Sequence, residues 1–273
     1  MEHPTRVGNR LLAALPLADF NLLAPYLRDV SLERDVVLVR SGERIEQIYF
    51  PCSATISFML DMPNGQTVAT AVIGNEAAAG LLSALGPTRS EATAIVLVAG
   101  TSLQISPARF HAAFIHSGGI RNAVQAHTGV LLTQFQYVAA CNALHSVDAR
   151  LARWLLHIHD RVSGNVLPLT QEELSKLLGV RRTTVTQVVH KLRMSRAIRS
   201  NRRGLIEIDR PRLEAAACDC YKAMCRRIDR TVSLAGRGPH SHAASGNKFH
   251  ESKIPFCPSW MKRSGTRTNG ATS

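Results

Sequence analysis

The sequence predicts an α+β protein made of an N-terminal antiparallel β-roll sensor domain, a long dimerisation helix and a C-terminal winged helix-turn-helix domain. Three observations carry this reading. Short β-like runs with close turns fill Val36 to Ile105. An uninterrupted helical pattern covers 120–145. A capped helix, a glycine turn, an amphipathic helix and a basic hairpin follow one another over 168–210. The expected divisions are 1–118 for the sensor domain, 119–146 for the long helix, 147–222 for the winged helix-turn-helix domain and 223–273 for a basic, disordered tail.

Taken in order, residues 8–30 read as helix, with Leu11, Leu12, Leu15, Phe20, Leu23 and Leu27 at helical intervals. Val36–Val39, Ile48–Phe50 and Ile56–Met62 read as strands, the last with apolar even positions. Pro63-Asn64-Gly65 supplies a turn before Val68–Ile73, because Asn and Gly tolerate positive φ. Ala94–Val98 and Leu103–Ile105 complete a small antiparallel barrel or roll. After Pro107, Phe110, Ala113 and Phe114 share a helical face, and Gly118-Gly119 is expected to break that helix. In 120–145 the residues Ile120, Val124, Leu131, Phe135, Val138 and Cys141 form an apolar stripe. No other predicted helix matches it in length, so the stripe is expected to face a second copy of the chain. A further helix spans about 147–162. Beyond about 235 the chain is rich in Gly, Ser, His, Asn and Pro without periodicity and reads as a disordered tail.

Charge divides the chain the same way. Of the net +13, residues 1–149 hold −2, residues 176–212 hold +9 and residues 222–273 hold +8. A near-neutral front with a basic block behind it suggests a sensor joined to a polyanion binder. No apolar stretch is long enough for a bilayer, and the polar start Met1-Glu2-His3-Pro4 lacks a signal pattern, so a cytoplasmic location is expected. Six sparse, unevenly spaced cysteines fit a reducing compartment.

Thr170 and Glu173 form a capping box ahead of Leu174, Leu177 and Leu178, and Gly179 closes the helix. In the next helix Val185, Val188, Val189 and Leu192 must face inward, which puts Thr183, Thr186, Gln187 and His190 on the opposite side, with Arg181 and Arg182 at its start. That is the layout of a recognition helix entering the major groove N-terminus first. Ile198–Ser200 and Leu205–Ile208 flank a basic turn, a wing whose Arg202 and Arg203 are expected to meet phosphates. A single Arg is ordinarily solvated surface; the whole succession is what points to double-stranded DNA. No Ser/His/Asp arrangement, phosphate-cradling Gly loop or metal-ligand spacing supports an enzyme.

Residues 10–222 resemble the Crp/Fnr family of bacterial transcription regulators. The resemblance is carried most strongly by Leu169-Thr170-Gln171-Glu172-Glu173-Leu174 and Gly179-Val180-Arg181-Arg182-Thr183-Thr184-Val185-Thr186, and in front by Ser41-Gly42-Glu43, Ile48-Tyr49-Phe50, and Gly74 with Glu76 before Gly80. It implies a homodimer held by the long helix, and it places the base-contacting positions on Arg182, Thr183 and Gln187. Arg181, Thr170, Thr186, His190, Arg202 and Arg203 are expected to grip the backbone or support the readers. The family often has Glu where this chain has Thr183, so its half-site is expected to differ. RNA polymerase stands as a candidate partner.

Cyclic-nucleotide-binding members of the family carry a Gly-Glu pair for the ribose and an Arg-Ser or Arg-Thr pair for the phosphate. Arg89-Ser90 matches the second, but Leu81 follows Gly80 and Glu76 lies four residues before it. Arg89, Ser90 and Glu76 are the candidate ligand residues, and no cyclic nucleotide binding is expected. A cyclic-nucleotide-responsive regulator or a ligand-binding module is the alternative. The first cysteine is Cys52, which argues against the family's N-terminal iron–sulfur cluster. Cys218, Cys220 and Cys225 read as incidental thiols on a helix, and His127 and Cys141 as packed helix residues rather than haem ligands. No metal or cofactor is expected.

Overall fold

The computed structural model describes residues 8–86, 88–200 and 204–235. The chain starts with α1 (Arg10–Ala13), α2 (Leu17–Leu23) and a 3-10 turn at Ala24–Tyr26. The stretch 8–30 is therefore not one helix. Pro16 sits at the cap of α2 and Pro25 interrupts its end, since neither can donate a helical hydrogen bond. The strands β1 (Arg28–Leu32), β2 (Val37–Val39), β3 (Ile48–Pro51), β4 (Thr55–Asp61), β5 (Thr67–Ile73), β6 (Thr93–Val98) and β7 (Gly100–Ile105) follow.

They form two antiparallel sheets, ordered β1-β7-β3 and β2-β6-β4-β5. The chain passes between sheets at Ala99-Gly100, where a Cβ on Gly100 would lie 2.5 Å from the Ala54 nitrogen, so only glycine fits. The β4–β5 turn is the expected one: Gly65 has φ +79°, and the Asn64 side chain accepts from the Gln66 N–H at 3.0 Å. Both faces of β4 are covered. Ile56 enters the core inside the roll, whereas Met59 joins a second core beneath the C-terminal domain.

Next come α3 (Pro107–His116) and α4 (Gly118–Leu144). Gly118-Gly119 begins α4, and Ser117 caps it by accepting from the Ile120 N–H at 2.9 Å. At about 1.5 Å per residue α4 is about 40 Å long. The remaining elements are α5 (Val147–His159), β8 (Val166–Pro168), α6 (Gln171–Leu178), α7 (Arg182–Met194), β9 (Ile198–Ser200), β10 (Leu205–Ile208), α8 (Arg210–Ala216) and α9 (Cys220–Ala235).

The C-terminal end of the chain and the surroundings of α4 also differ from the sequence expectation. Residues 223–235 are not tail but the body of α9, which buries Tyr221, Met224, Ile228 and Val232. Its other side carries Lys222, Arg226, Arg227 and Arg230, and this basic face masked the amphipathic period. In consequence α4 has an intrachain partner. Helix α9 lies along α4, approaching so closely that a Cβ on Gly129 would meet Thr231 at 3.1 Å. Arg10 and Asp229 tie it to α1 at 2.8 Å. Ile120, Val124, Leu131, Val138 and Cys141 are buried within the chain, and of the expected stripe Phe135 alone is exposed.

Candidate nucleic-acid interface

The capping box on α6 is formed. Thr170 Oγ1 accepts from the Glu173 N–H at 3.2 Å, and Glu173 Oε2 accepts from the Thr170 N–H at 2.6 Å. Thr170 is thus occupied in holding α6. Gly179 has φ +65° and returns its N–H to the Ser175 carbonyl. Arg150 of α5, buried, donates to the Leu178 carbonyl at 2.6 Å and satisfies another orphan acceptor of that last turn.

These contacts fix the angle at which α7 leaves the turn. Its Val185, Val188, Val189 and Leu192 are buried, and Arg182, Thr183, Thr186, Gln187 and His190 are exposed on the other side, with Arg181 exposed at the N-cap. Thr186 Oγ1 meets the Arg182 carbonyl at 3.0 Å and Gln171 Oε1 at 3.2 Å, which ties the reading face to α6. The face therefore presents a guanidinium, hydroxyls, an amide and an imidazole, the donor and acceptor types that match base edges in a major groove. Lys191 pairs with Asp148 at 2.9 Å, bracing α7 on α5, and that lysine hydrogen bond holds the Asp148 carboxyl below its ordinary value.

The wing is a three-stranded sheet, β8-β10-β9, with Ile206 opposite both Leu167 and Ser200. The sequence reading missed β8, three residues long and broken by Pro168. Arg202 and Arg203 lie outside the described residues.

An ion pair unread in the sequence joins this domain to the roll, and a cleft lies between the two. Arg34 Nη2 pairs with Glu173 Oε1 at 2.5 Å, so one carboxylate both caps α6 and holds it to the sensor. A cleft bounded by Met62, Gln66 and Val68 on the roll and by Lys176, Gly179 and Arg182 on the helix-turn-helix runs beside the start of α7.

Each of the candidate ligand residues has a partner within the chain. Glu76 is buried and accepts from Arg161 Nε at 3.0 Å and Nη2 at 2.6 Å. Burial raises its pKa, but the Arg161 charge and hydrogen bonds outweigh this and leave it lowered. Arg89 is exposed and donates to the Gly42 carbonyl at 2.8 Å, while the Ser90 hydroxyl donates to the Ala92 carbonyl. Leu81, at the position after Gly80, is packed in the core with Ala77, Ala78 and Ala79. His127, also buried, accepts the Ala78 N–H at Nδ1.

The cysteines are grouped differently from the sequence reading. Cys218 and Cys220 meet Cys141 and His145 at the end of α4, whereas Cys225 lies with His157 and Asp160. The spacing Cys141…His145 is one helical turn, and that is the signal the sequence did contain.

Two family models match the chain in this order: a cyclic nucleotide-binding domain over residues 29–117 and a Crp-like helix-turn-helix domain over residues 149–216. Together they span more than half of it. Among curated proteins, none matches. Solved structures with the same fold include FixK2 from Bradyrhizobium japonicum, with 15% identity and a TM-score of 0.60 over 70% of this chain and 98% of that one. The c-di-GMP responsive global regulator CLP of Xanthomonas campestris gives 16% and 0.58 over 71% and 99%. A CRP/FNR-family transcriptional regulator from Thermus thermophilus gives 18% and 0.57 over 70% and 98%. With a nucleotide-binding-type roll, a long helix and a Crp-like reading head in that order, the chain belongs to the Crp/Fnr family of DNA-binding transcriptional regulators.

Proposed function

We propose that the chain works as a homodimer that reads two DNA half-sites through α7, under a sensor domain whose signal is not a cyclic nucleotide. The observation that carries the reading role is the exposed face of α7, where Arg182, Thr183 and Gln187 stand clear of the buried valines. Arg182 is assigned to guanine, Gln187 to adenine and Thr183 to either a base or a phosphate. Arg181, His190 and the wing's Arg202 and Arg203 are assigned to the backbone, and Thr170 and Thr186 to holding the readers.

The dimer rests on the outer face of α4. Gln125, Thr128, Leu132, Phe135, Ala139 and Asn142 recur at alternating steps of three and four residues, the spacing of a coiled-coil seam. Leu132 is 53% and Phe135 41% exposed, which leaves an apolar strip to be covered by a second copy. Against a cyclic nucleotide stands the engagement of Glu76 by Arg161: the acidic side chain nearest Leu81 in the sequence is already paired.

Selection of bound fragments from a random DNA pool by the purified protein tests this. The expected product is an inverted repeat whose half-sites are one helical turn apart. Recovery of no common sequence, or of a single unrepeated half-site, contradicts it. Cyclic AMP added to the binding reaction is expected to leave affinity unchanged.

A further inference from the structure

The end of α4 and the segment between α8 and α9 bring three thiols and an imidazole together. Cys141 Sγ is 3.8 Å from Cys218 Sγ, Cys220 Sγ is 3.8 Å from His145 Nδ1, and all four ligand atoms lie within 4.8 Å of one another. A tetrahedral zinc with Zn–S bonds of about 2.3 Å holds its sulfurs about 3.8 Å apart. The donors are therefore already spaced for one ion at their centre, and they are too close together for a cluster of several irons.

A second observation points the same way. Arg153 of α5 is fully buried, and its three side-chain nitrogens have no hydrogen-bond partner among the described residues. Its guanidinium stacks over the Trp154 ring at 4.7 Å and lies near enough for charge on Cys141, Cys218 and Cys220 to act on it. A buried cation without an anion is costly. Three neutral thiols do nothing to relieve it. Three thiolates and a neutral imidazole around a divalent ion carry a net charge of −1, which Arg153 offsets.

We propose that Cys141, His145, Cys218 and Cys220 bind one zinc ion in a Cys3His site. Each thiol gives its proton to solvent and forms a metal–sulfur bond, and the imidazole binds through Nδ1; no electron is transferred. The ion bridges the junction of α4 and α5 to the start of α9, so it clamps α9 along α4 and fixes where the reading head leaves the long helix.

The test uses the full chain without a histidine tag, grown with added zinc and purified under reducing conditions. Elemental analysis after desalting is expected to give one zinc per chain. Cobalt alone, added to chelator-stripped protein, should give thiolate-to-cobalt charge transfer and the intense visible bands of tetrahedral coordination. The paired variant Cys218→Ser/Cys220→Ser should lose both signals. Cys225→Ser and Cys257→Ser should keep them, the latter testing a thiol outside the described residues. Because the double variant could unfold, His145→Ala, whose site is only half-buried, provides a second measure: it should retain native circular dichroism but bind cobalt at least tenfold more weakly. Protein that neither retains zinc nor takes up cobalt, or variants that bind both like the parent, would overturn the assignment. So would a Cys141–Cys218 disulfide in the freshly isolated, metal-free protein.

Discussion

Replacing Glu76 by Gln keeps the shape of the side chain and removes its charge. The side chains of Glu76 and Arg161 are 5% and 8% exposed, and Arg161 places two nitrogens on one carboxylate oxygen. The Gly74 N–H completes that oxygen's shell at 3.2 Å. In Glu76→Gln the amide oxygen can still accept from Arg161, as does the His157 carbonyl, but the buried guanidinium loses the negative charge that pairs with it. Removing one partner of a buried pair costs about 3–5 kcal/mol. Removing both in Glu76→Met/Arg161→Met leaves no stranded charge, and such replacements are often neutral or stabilising. The double variant is therefore expected to be more stable than either Glu76→Met or Arg161→Met alone, and the two single costs should exceed that of the double by more than about 3 kcal/mol.

Urea unfolding followed by circular dichroism, at one fixed protein concentration because a dimer is expected, measures this. The pH dependence has a definite sign. The folded pKa of Glu76 is lowered, so its contribution is full above the ordinary carboxylate range and is lost as pH falls through the folded value. The gap between the parent and Glu76→Gln should be constant near neutrality and close in acid. A Glu76→Gln cost below about 1 kcal/mol, or single costs that simply add, would refute the reasoning.

Other outcomes follow from single contacts. Burial pushes His127 down to about 4, against a smaller opposing pull from Glu76. The unfolded ring protonates near 6.5, so stability should fall by about 3 kcal/mol as pH drops from about 6.5 to about 4. His127→Gln should flatten that decline in urea midpoints, leaving the part due to His157, which burial also lowers. Leu132→Glu/Phe135→Glu on the outer face of α4 should sediment as a monomer at micromolar concentration; a persistent dimer would place the seam elsewhere. Thr170→Ala should cost about 1 kcal/mol in unfolding free energy through the lost cap, and Thr170→Ser much less.

The reading head was legible because its signals are local. The box of Thr170 and Glu173, the turn at Gly179 and the four-residue periodicity of Val185 to Leu192 each lie within a few residues of one another. The β-roll was legible for the same reason, through alternation and the Asn64-Gly65 turn. What escaped depends on distant pairs. Glu76 meets Arg161 across 85 positions and Arg34 meets Glu173 across 139, and no local pattern announces either. Helix α9 was hidden by composition: its basic outer face joins a basic tail, and only packing on α4 distinguishes the two. That same packing buries most of the apolar stripe of α4 within the chain, where the sequence alone points to a second copy. The thiols failed likewise, since Cys218 and Cys220 find Cys141 about 77 positions back and not their neighbour Cys225.

Helix α7 is proposed to read sequence through Arg182. This role is tested most directly by measuring the affinity of the parent and of Arg182→Ala for the selected site and for random DNA at one salt concentration. A base-reading Arg182 gives a loss of about 1–3 kcal/mol on the selected site, concentrated at one base position per half-site, with random DNA little affected. An equal loss on both, in a variant with unchanged circular dichroism, would make Arg182 a phosphate contact and contradict that role.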